Sequence, residues 1–141
     1  MTDDENNTYA VRLDKPKTAC FIGGGAVPEK CANEVKEALR KVIVSLFNQG
    51  ITTFLNGGAT GFDVLAAEAV ISLRVFFKIP VVLAMPPPGE EWGTDTETEA
   101  WLVAHSRVCI AYENTVPIAR EHGLTVINLA EIIKAGGSRK M

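Results

Sequence analysis

The chain has 141 residues, of which 47% are hydrophobic and 22% charged, a composition typical of one globular domain with its own core. Its formal net charge is −3, and Asp3, Asp4 and Glu5 account for it, so the remainder is balanced. This excludes the basic surface that nucleic-acid binding needs. There is no apolar run of membrane-spanning length, and the polar N-terminus is unlike a signal peptide. We therefore expect a cytoplasmic protein without membrane or nucleic-acid partners.

The cysteines and histidines do not form a recognisable ligand set. Cys20, Cys31 and Cys109 are widely spaced, with no CxxC pair, which predicts free thiols that are buried or partly buried. His105 and His122 are isolated from one another and from the cysteines. We accordingly predict no metal site and no resident cofactor.

The first half of the chain contains two strand–glycine–helix units. Residues 18–22 form an apolar run of strand length, followed by three glycines and by Pro28, which suits the first turn of a helix. Apolar residues then recur at helical spacing up to Gly50, a predicted helix C′ residue. The second unit comprises a strand at 51–55, a glycine-rich loop at 56–61 and a helix at 62–77.

The second half continues the alternation of strands and helices. Pro80 ends the second helix, and apolar runs predict further strands at 81–85, 108–112 and 124–129. Short helices are predicted at 99–105, at 115–122 with Thr115 as its cap, and at 130–134.

This alternation predicts an α/β fold with a parallel sheet covered on both faces. We predict a single Rossmann-like domain whose five-stranded, mostly parallel sheet has the order 3-2-1-4-5. The domain is expected to span residues 15–135, between a flexible segment at 1–14 and a tail at 136–141. Both glycine loops would then meet at the switch between the first and fourth strands, where such sheets bind ligands.

The two glycine loops allow more than one interpretation. The loop starting at Gly23 is neither a dinucleotide fingerprint, because Pro28 replaces the third glycine, nor a P-loop; a tight turn and a phosphate cradle are equally compatible with it. The loop ending at Asp63 is either a turn whose acid favours the helix dipole or a backbone cradle in which Asp63 binds a ribose or base. The predicted ligand-binding residues are Gly23, Gly24, Gly25, Asn56, Gly57, Gly58, Ala59, Thr60, Gly61, Asp63 and Pro86.

No catalytic constellation is evident in the sequence. Asp63 and Glu68 are five residues apart, so they do not share one helix face well, and Glu68 is expected to pair with an arginine or to contact the ligand. Trp92 and Trp101 could stack on a base, but packing is the preferred interpretation of both.

Three short stretches resemble a known family. Residues 18–23 (TACFIG), residues 28–30 (PEK) and residues 57–63 (GGATGFD), with Ala67-Glu68 after them, are similar to the YpsA-like branch of the SLOG superfamily. That superfamily also includes the DNA-processing protein DprA and the LOG phosphoribohydrolases. The resemblance covers about residues 18–85 and resumes weakly at 108–129. It implies a Rossmann-like fold and binding of nucleotides or ADP-ribose-like ligands.

The chain also departs from that family. Gly24 and Gly25 stand where YpsA-like proteins carry His and Arg, so the cation expected over a phosphate is missing, and the region between Pro88 and Val108 is shorter. The LOG motif is only faintly echoed before Glu97. If the protein were an enzyme of LOG type, the candidate catalytic residues would be Asp63, Glu68 and Glu97.

The leading functional prediction is a nucleotide- or nucleotide-sugar-binding protein with a sensor or accessory role, which does not turn its ligand over. The alternatives are a nucleoside 5′-monophosphate phosphoribohydrolase and a non-catalytic partner-binding domain. The helix at 62–77 is apolar almost all round, and a sheet covers only one of its faces. With Phe76 and Phe77 at its end, it predicts a homodimer or larger homo-oligomer.

Overall fold

A computed structural model describes residues 14–23, 27–57, 61–85, 95–112 and 116–139. Within these ranges the chain forms five strands and five α-helices, with two short 3₁₀ turns at Lys15–Lys17 and Glu29–Cys31. Predictions that fall on residues 1–13, 24–26, 58–60, 86–94, 113–115 and 140–141 lie outside the described residues.

The five strands form one parallel sheet in the predicted order. They are β1 (Thr18–Gly23), β2 (Thr53–Asn56), β3 (Val82–Ala84), β4 (Val108–Tyr112) and β5 (Thr125–Asn128). The spatial order is β3-β2-β1-β4-β5, and all four neighbouring pairs are parallel. The prediction of a Rossmann-like sheet is therefore confirmed. The central strands are apolar on both sides because helices cover both faces.

The helices divide between the two faces of the sheet. They are α1 (Ala32–Asn48), α2 (Gly61–Val75), α3 (Asp95–Ala104), α4 (Pro117–Glu121) and α5 (Leu129–Arg139). Helices α1, α2 and α5 pack on one face and share a core with Phe21 and Phe54. Helices α3 and α4 pack on the other face, against Cys20, Leu55 and Cys109. Successive residues of β1 thus enter opposite cores, as the period of two in a strand requires.

The end of α1 was predicted correctly. Gly50 has a φ of 100° and donates its amide to the Phe47 carbonyl, while the Ile51 amide returns to the Leu46 carbonyl. These two bonds form a Schellman motif, in which a glycine at C′ adopts the left-handed conformation at little steric cost.

Several other boundaries differ from the prediction. Helix α2 ends at Val75, before the predicted 77, because the chain reverses at Lys78, which has a φ of 58°. Helix α3 begins at Asp95 rather than 99, and α5 continues to Arg139 rather than ending at 134. The residue at the N-cap of α4 is Val116, not the predicted Thr115, which lies outside the described residues.

The cysteine prediction is confirmed, since all three thiols are free, with Cys20 and Cys109 buried and Cys31 partly buried. In the described part of the chain, every helix is too short or too polar to cross a membrane.

Two positions with positive φ should respond in opposite ways to substitution. Gly50→Ala forces a side chain into the left-handed region and should lower the free energy of unfolding by about 1 kcal/mol, although no atom lies near the added methyl. Lys78→Gly relieves the same restriction at an exposed site and should leave stability unchanged or raise it by up to ~1 kcal/mol. Urea unfolding of both variants tests this, and a more stable Gly50→Ala protein would contradict it.

Candidate functional site

The candidate site lies where the carboxyl ends of β1, β2 and β4 meet. Gly23, the last residue of β1, is paired with Tyr112, the last residue of β4, and Asn56 at the end of β2 is paired with Phe21. Helix α2 begins at Gly61, a few residues after β2. The first strand has neighbours on both sides whose crossovers run to opposite faces, so this is the switch point of the sheet.

The structure describes five of the predicted ligand-binding residues: Gly23, Asn56, Gly57, Gly61 and Asp63. The others, Gly24, Gly25, Gly58, Ala59, Thr60 and Pro86, lie outside the described residues. The described five are brought to one edge of the sheet, as predicted, by β1, β2 and the first turn of α2.

Gly23 has a packing role that the sequence did not reveal. A Cβ atom at this position would lie 2.6 Å from the Cβ of Phe62, well inside contact distance. Phe62 is fully buried at the start of α2. The missing side chain of Gly23 therefore lets α2 begin directly against the end of β1.

An aromatic contact extends this arrangement to β4. The ring of Phe62 stacks on Tyr112 with a centroid separation of 5.4 Å and an interplanar angle of 11°. It also meets Phe21 edge-on at 6.4 Å. Phe62 and Tyr112 were not predicted as site residues; the available signal was an aromatic residue directly after Gly61, at the entrance of a helix that follows a strand. Their stacking fixes the first turn of α2 over the ends of β1 and β4.

A buried hydrogen bond ties β2 to the same helical turn. The Asn56 side-chain amide donates to the Asp63 backbone carbonyl at 2.7 Å, and both residues are buried. This bond spans the glycine-rich loop, whose two ends it holds together. Asn56, predicted as a ligand contact, thus also has a structural role.

Asp63 is 5% exposed and lies in the first turn of α2. Its Oδ2 is 3.8 Å from the position that a Cβ on Gly57 would occupy, so the carboxylate faces back towards the glycine loop. The positive end of the α2 dipole favours an anion at this place. This position is compatible with both interpretations of Asp63, as an acid that favours the helix dipole and as a ligand contact.

Gly57 is covered from the other face of the sheet. An added Cβ would lie 3.0 Å from the Thr98 methyl and 3.6 Å from Leu102, both on α3. Helix α3 therefore occupies the space into which a side chain at position 57 would point. The backbone of Gly57 directly follows the end of β2.

The two candidate catalytic acids whose side chains the structure describes, Asp63 and Glu68, do not converge. Glu68 is exposed on α2 and pairs with Lys36 of α1, at 3.2 Å between Oε1 and Nζ, whereas Asp63 is buried beside the loop. The prediction that these two acids occupy different faces is confirmed. Glu97 belongs to α3, but its side chain lies outside the described residues.

The remaining candidate groups have packing roles. Trp101 is half-buried against the second core and lies 4.3 Å from the His105 ring, as the packing interpretation predicted. The Cys109 thiol is wholly buried, and a hydrogen bond with Cys20 together with burial raises its pKa far above the usual range. It is therefore a neutral thiol rather than a nucleophile.

One strained residue lies close to the site. Val116 has a φ of 46° and a ψ of 65°, a left-handed conformation that β-branched residues rarely adopt, and it is buried in the second core. Such a conformation costs on the order of 1–3 kcal/mol and persists only where packing enforces it. Val116 is where the chain turns from the β4 loop into α4.

Fold and site together define a Rossmann-like α/β domain with its candidate site at the switch point of the sheet. Comparison with protein-family models and with curated proteins finds no match to this chain.

Gly23 and Gly57 should differ in their tolerance of a methyl group. Gly23→Ala should lower the free energy of unfolding by about 1–3 kcal/mol or more, because the backbone-proximal Cβ of Phe62 cannot move aside. Gly57→Ala should change it by less than ~1 kcal/mol, because the terminal methyl of Thr98 can shift and the unfolded chain loses entropy. Denaturant unfolding of both variants tests the order, and an equal or larger loss for Gly57→Ala would contradict it.

Proposed function

We propose that the protein binds a nucleotide or a nucleotide sugar of the ADP-ribose type at the carboxyl edge of its sheet, in a sensor or accessory role. The ligand's phosphate would lie at the amino end of α2, beside the glycine loops. The resemblance to the YpsA-like branch of the SLOG superfamily suggested this ligand class, and the geometry of the described residues is compatible with it.

The observation that carries the proposal is the contact of Phe62 with Gly23 and Tyr112. It sets the first turn of α2 at the switch point, over the ends of β1 and β4. The first amides of a helix have no partner within the helix, and the helix dipole adds positive charge there. A phosphate is the ligand group that these amides suit best.

Asp63 supplies the polar selectivity in this proposal. A carboxylate only accepts hydrogen bonds when ionised, so it would take up the hydroxyls of a ribose or an amino group of a base. Asp63 is held in place by its helix and by the Asn56 bond to its own carbonyl, so little ordering is needed on binding.

Binding without cleavage is the form of the proposal that we favour. Cleavage of an N-glycosidic bond requires a positioned acid together with a carboxylate near the sugar. Asp63 could be the carboxylate, but Glu68 pairs with Lys36 at the helix surface. A cradle of backbone amides binds the ground state and the transition state about equally, so it gives little acceleration.

A matched pair of substitutions on α2 tests the proposed site. AMP, ADP, ADP-ribose, NAD and cyclic nucleotides are screened by thermal shift, since a ligand at a hundredfold excess over its Kd stabilises by about 2.7 kcal/mol. Asp63→Asn removes the buried carboxylate and should abolish most of the ligand-induced shift. Glu68→Gln removes an exposed carboxylate of the same helix and should retain it.

Equal ligand shifts in both variants would contradict the role of Asp63, and no shift with any of these ligands would reject the proposal. A Gly58→Val protein that folds and keeps the full shift would contradict the backbone cradle. The incubated mixtures are also separated by chromatography. If the parent protein releases free base and the Asp63→Asn variant does not, the protein is a phosphoribohydrolase rather than a binding protein.

We also propose that two copies of the chain associate through the outer face of α2. Phe76 and Phe77 are 77% and 62% exposed at its carboxyl end. The apolar residues Val64, Ile71 and Val75 lie exposed along the same helix. A surface of this kind marks an interface, and the described part of the chain leaves it uncovered.

The charges on this face favour a second copy as the partner. Glu68 and Arg74 flank Ile71 at equal distances along α2. If two copies cross antiparallel about Ile71, Glu68 of each copy, which also pairs with Lys36 of its own chain, lies opposite Arg74 of the other copy. The Arg74 guanidinium uses one donor on the Val81 carbonyl of its own chain and has others left. A two-fold interface is self-complementary in this way, because one patch meets itself.

Ile71→Glu should disrupt the assembly, because two carboxylates would then face each other at the centre of the interface. Ile132→Glu is the matched control, since Ile132 is also an exposed apolar residue but lies on α5. Light scattering after gel filtration should give twice the 15.2 kDa chain mass for the parent and control, and one chain mass for Ile71→Glu. A monomeric parent at high concentration would reject the assembly.

A further inference from the structure

We propose that the amino edge of the sheet holds a second site, which binds a small oxyanion. A cavity of about 260 Å³ opens there, bordered by the 3₁₀ turn before β1, the residues before β4 and the turn after α4. Three nitrogen-bearing side chains line it: Lys15, Arg107 and His122. The cavity lies at the opposite end of the strands from the glycine loops, so it is independent of the proposed nucleotide site.

Arg107 is the best-positioned of these residues. Its backbone amide donates to the Thr18 carbonyl at 2.9 Å, and its carbonyl accepts from the Thr125 amide at 3.3 Å. These bonds fix its Cα between β1 and β5. Its guanidinium donates to the Pro16 carbonyl at 3.4 Å, a contact that uses only part of its donor fork.

Lys15 is the second cation among the lining residues. Among the described residues, neither Lys15 nor Arg107 forms an ion pair. The Nδ1 of His122 lies 2.9 Å from the Ile118 carbonyl and must carry the hydrogen of that bond, because a carbonyl only accepts. Its Nε2 is then an acceptor in the neutral ring, so the donors that the cavity offers to an oxyanion are those of Lys15 and Arg107.

Among the described residues, those that line this cavity carry positive charge and no negative charge. Asp14 and Glu121 are neighbours of the lining residues in sequence, but no carboxylate is among the described residues that line the cavity. Cations that gather round a concave surface repel one another unless an anion joins them. A planar guanidinium and an ammonium are the groups that bind carboxylate and phosphate oxygens most strongly.

The rest of the lining limits the size and nature of the ligand. Pro16 and Leu124 give the cavity an apolar wall beside the cations. The buried Ser106 hydroxyl also lines it, but already donates to the Leu102 carbonyl at 2.7 Å. The cavity therefore fits one oxyanion group, a phosphate or a carboxylate, that carries at most a small apolar body.

The test uses inorganic phosphate and acetate as separate probes of the full chain, followed by NMR of backbone amides. Saturable shifts should appear at Ser106, Gly123 and Leu124, which line the cavity, while Gly57 and Gly61 report on the opposite edge. Whichever probe saturates at the lower concentration distinguishes a phosphate site from a carboxylate site. Failure of both probes to move the cavity amides would overturn the inference without touching the nucleotide proposal.

Arg107→Gln should weaken the binding about tenfold, because it removes a charge-assisted donor. Arg40→Gln makes the same change of net charge on α1, where Arg40 pairs with Glu37, and should leave the affinity unchanged. If Arg107→Gln does not fold, Lys15→Gln provides a second variant, because Lys15 lies outside the sheet. Equal affinity in the parent, Lys15→Gln and Arg107→Gln proteins would overturn the site.

Discussion

The close approach of Phe62 to Gly23 is the contact on which the arrangement of the candidate site depends. A side chain on Gly23 would collide with the Cβ of Phe62, so glycine permits the helix to start where it does. The ring of Phe62 then stacks on Tyr112 and meets Phe21, which in turn stacks on Phe54 at 6.0 Å. Each such pair contributes about 0.5–1.5 kcal/mol beyond the area it buries. The four aromatic residues therefore join β2, β1, α2 and β4 into one packed unit beneath the site.

This packed unit fixes the residues at which the glycine loops begin and end. The Asn56 bond to the Asp63 carbonyl closes one loop, and Gly23 ends β1 against α2 at the start of the other. Loops that carry binding groups work best when a rigid scaffold positions them. Gly23, Asn56 and Asp63 belong to that scaffold, so the close packing at Gly23 and the hydrogen bond of Asn56 fall on residues that also border the site.

The sequence predicted the fold well because its signals are local and repeated. Buried strands, glycine turns and helical spacing each recur along the chain, and the right-handed crossover rule leaves few orders for the strands. The Schellman glycine Gly50 was predictable for the same reason. The longer α5 was not, since Gly136 and Gly137 oppose a helix locally.

The site was harder to predict than the fold. A glycine that admits a ligand and a glycine that admits a helix look alike in sequence, because both positions merely exclude a Cβ. Gly23 was predicted as a ligand contact, and only its distance to Phe62 reveals the packing requirement. The left-handed Val116 was missed altogether, since a β-branched residue is the last that a local rule would place in that conformation.

The almost wholly apolar composition of helix α2 follows from the different contacts that its faces make. Its first turn contributes Phe62 and Asp63 to the site, and its inner face packs Ala66, Ala69 and Leu73 against the sheet. Its outer face carries exposed apolar residues, which proposed self-association would bury. A ligand at the amino end and a second copy along the outer face would then contact one rigid element. If the bound ligand changes the free energy of self-association, self-association must change the free energy of ligand binding by the same amount, because such coupling is reciprocal.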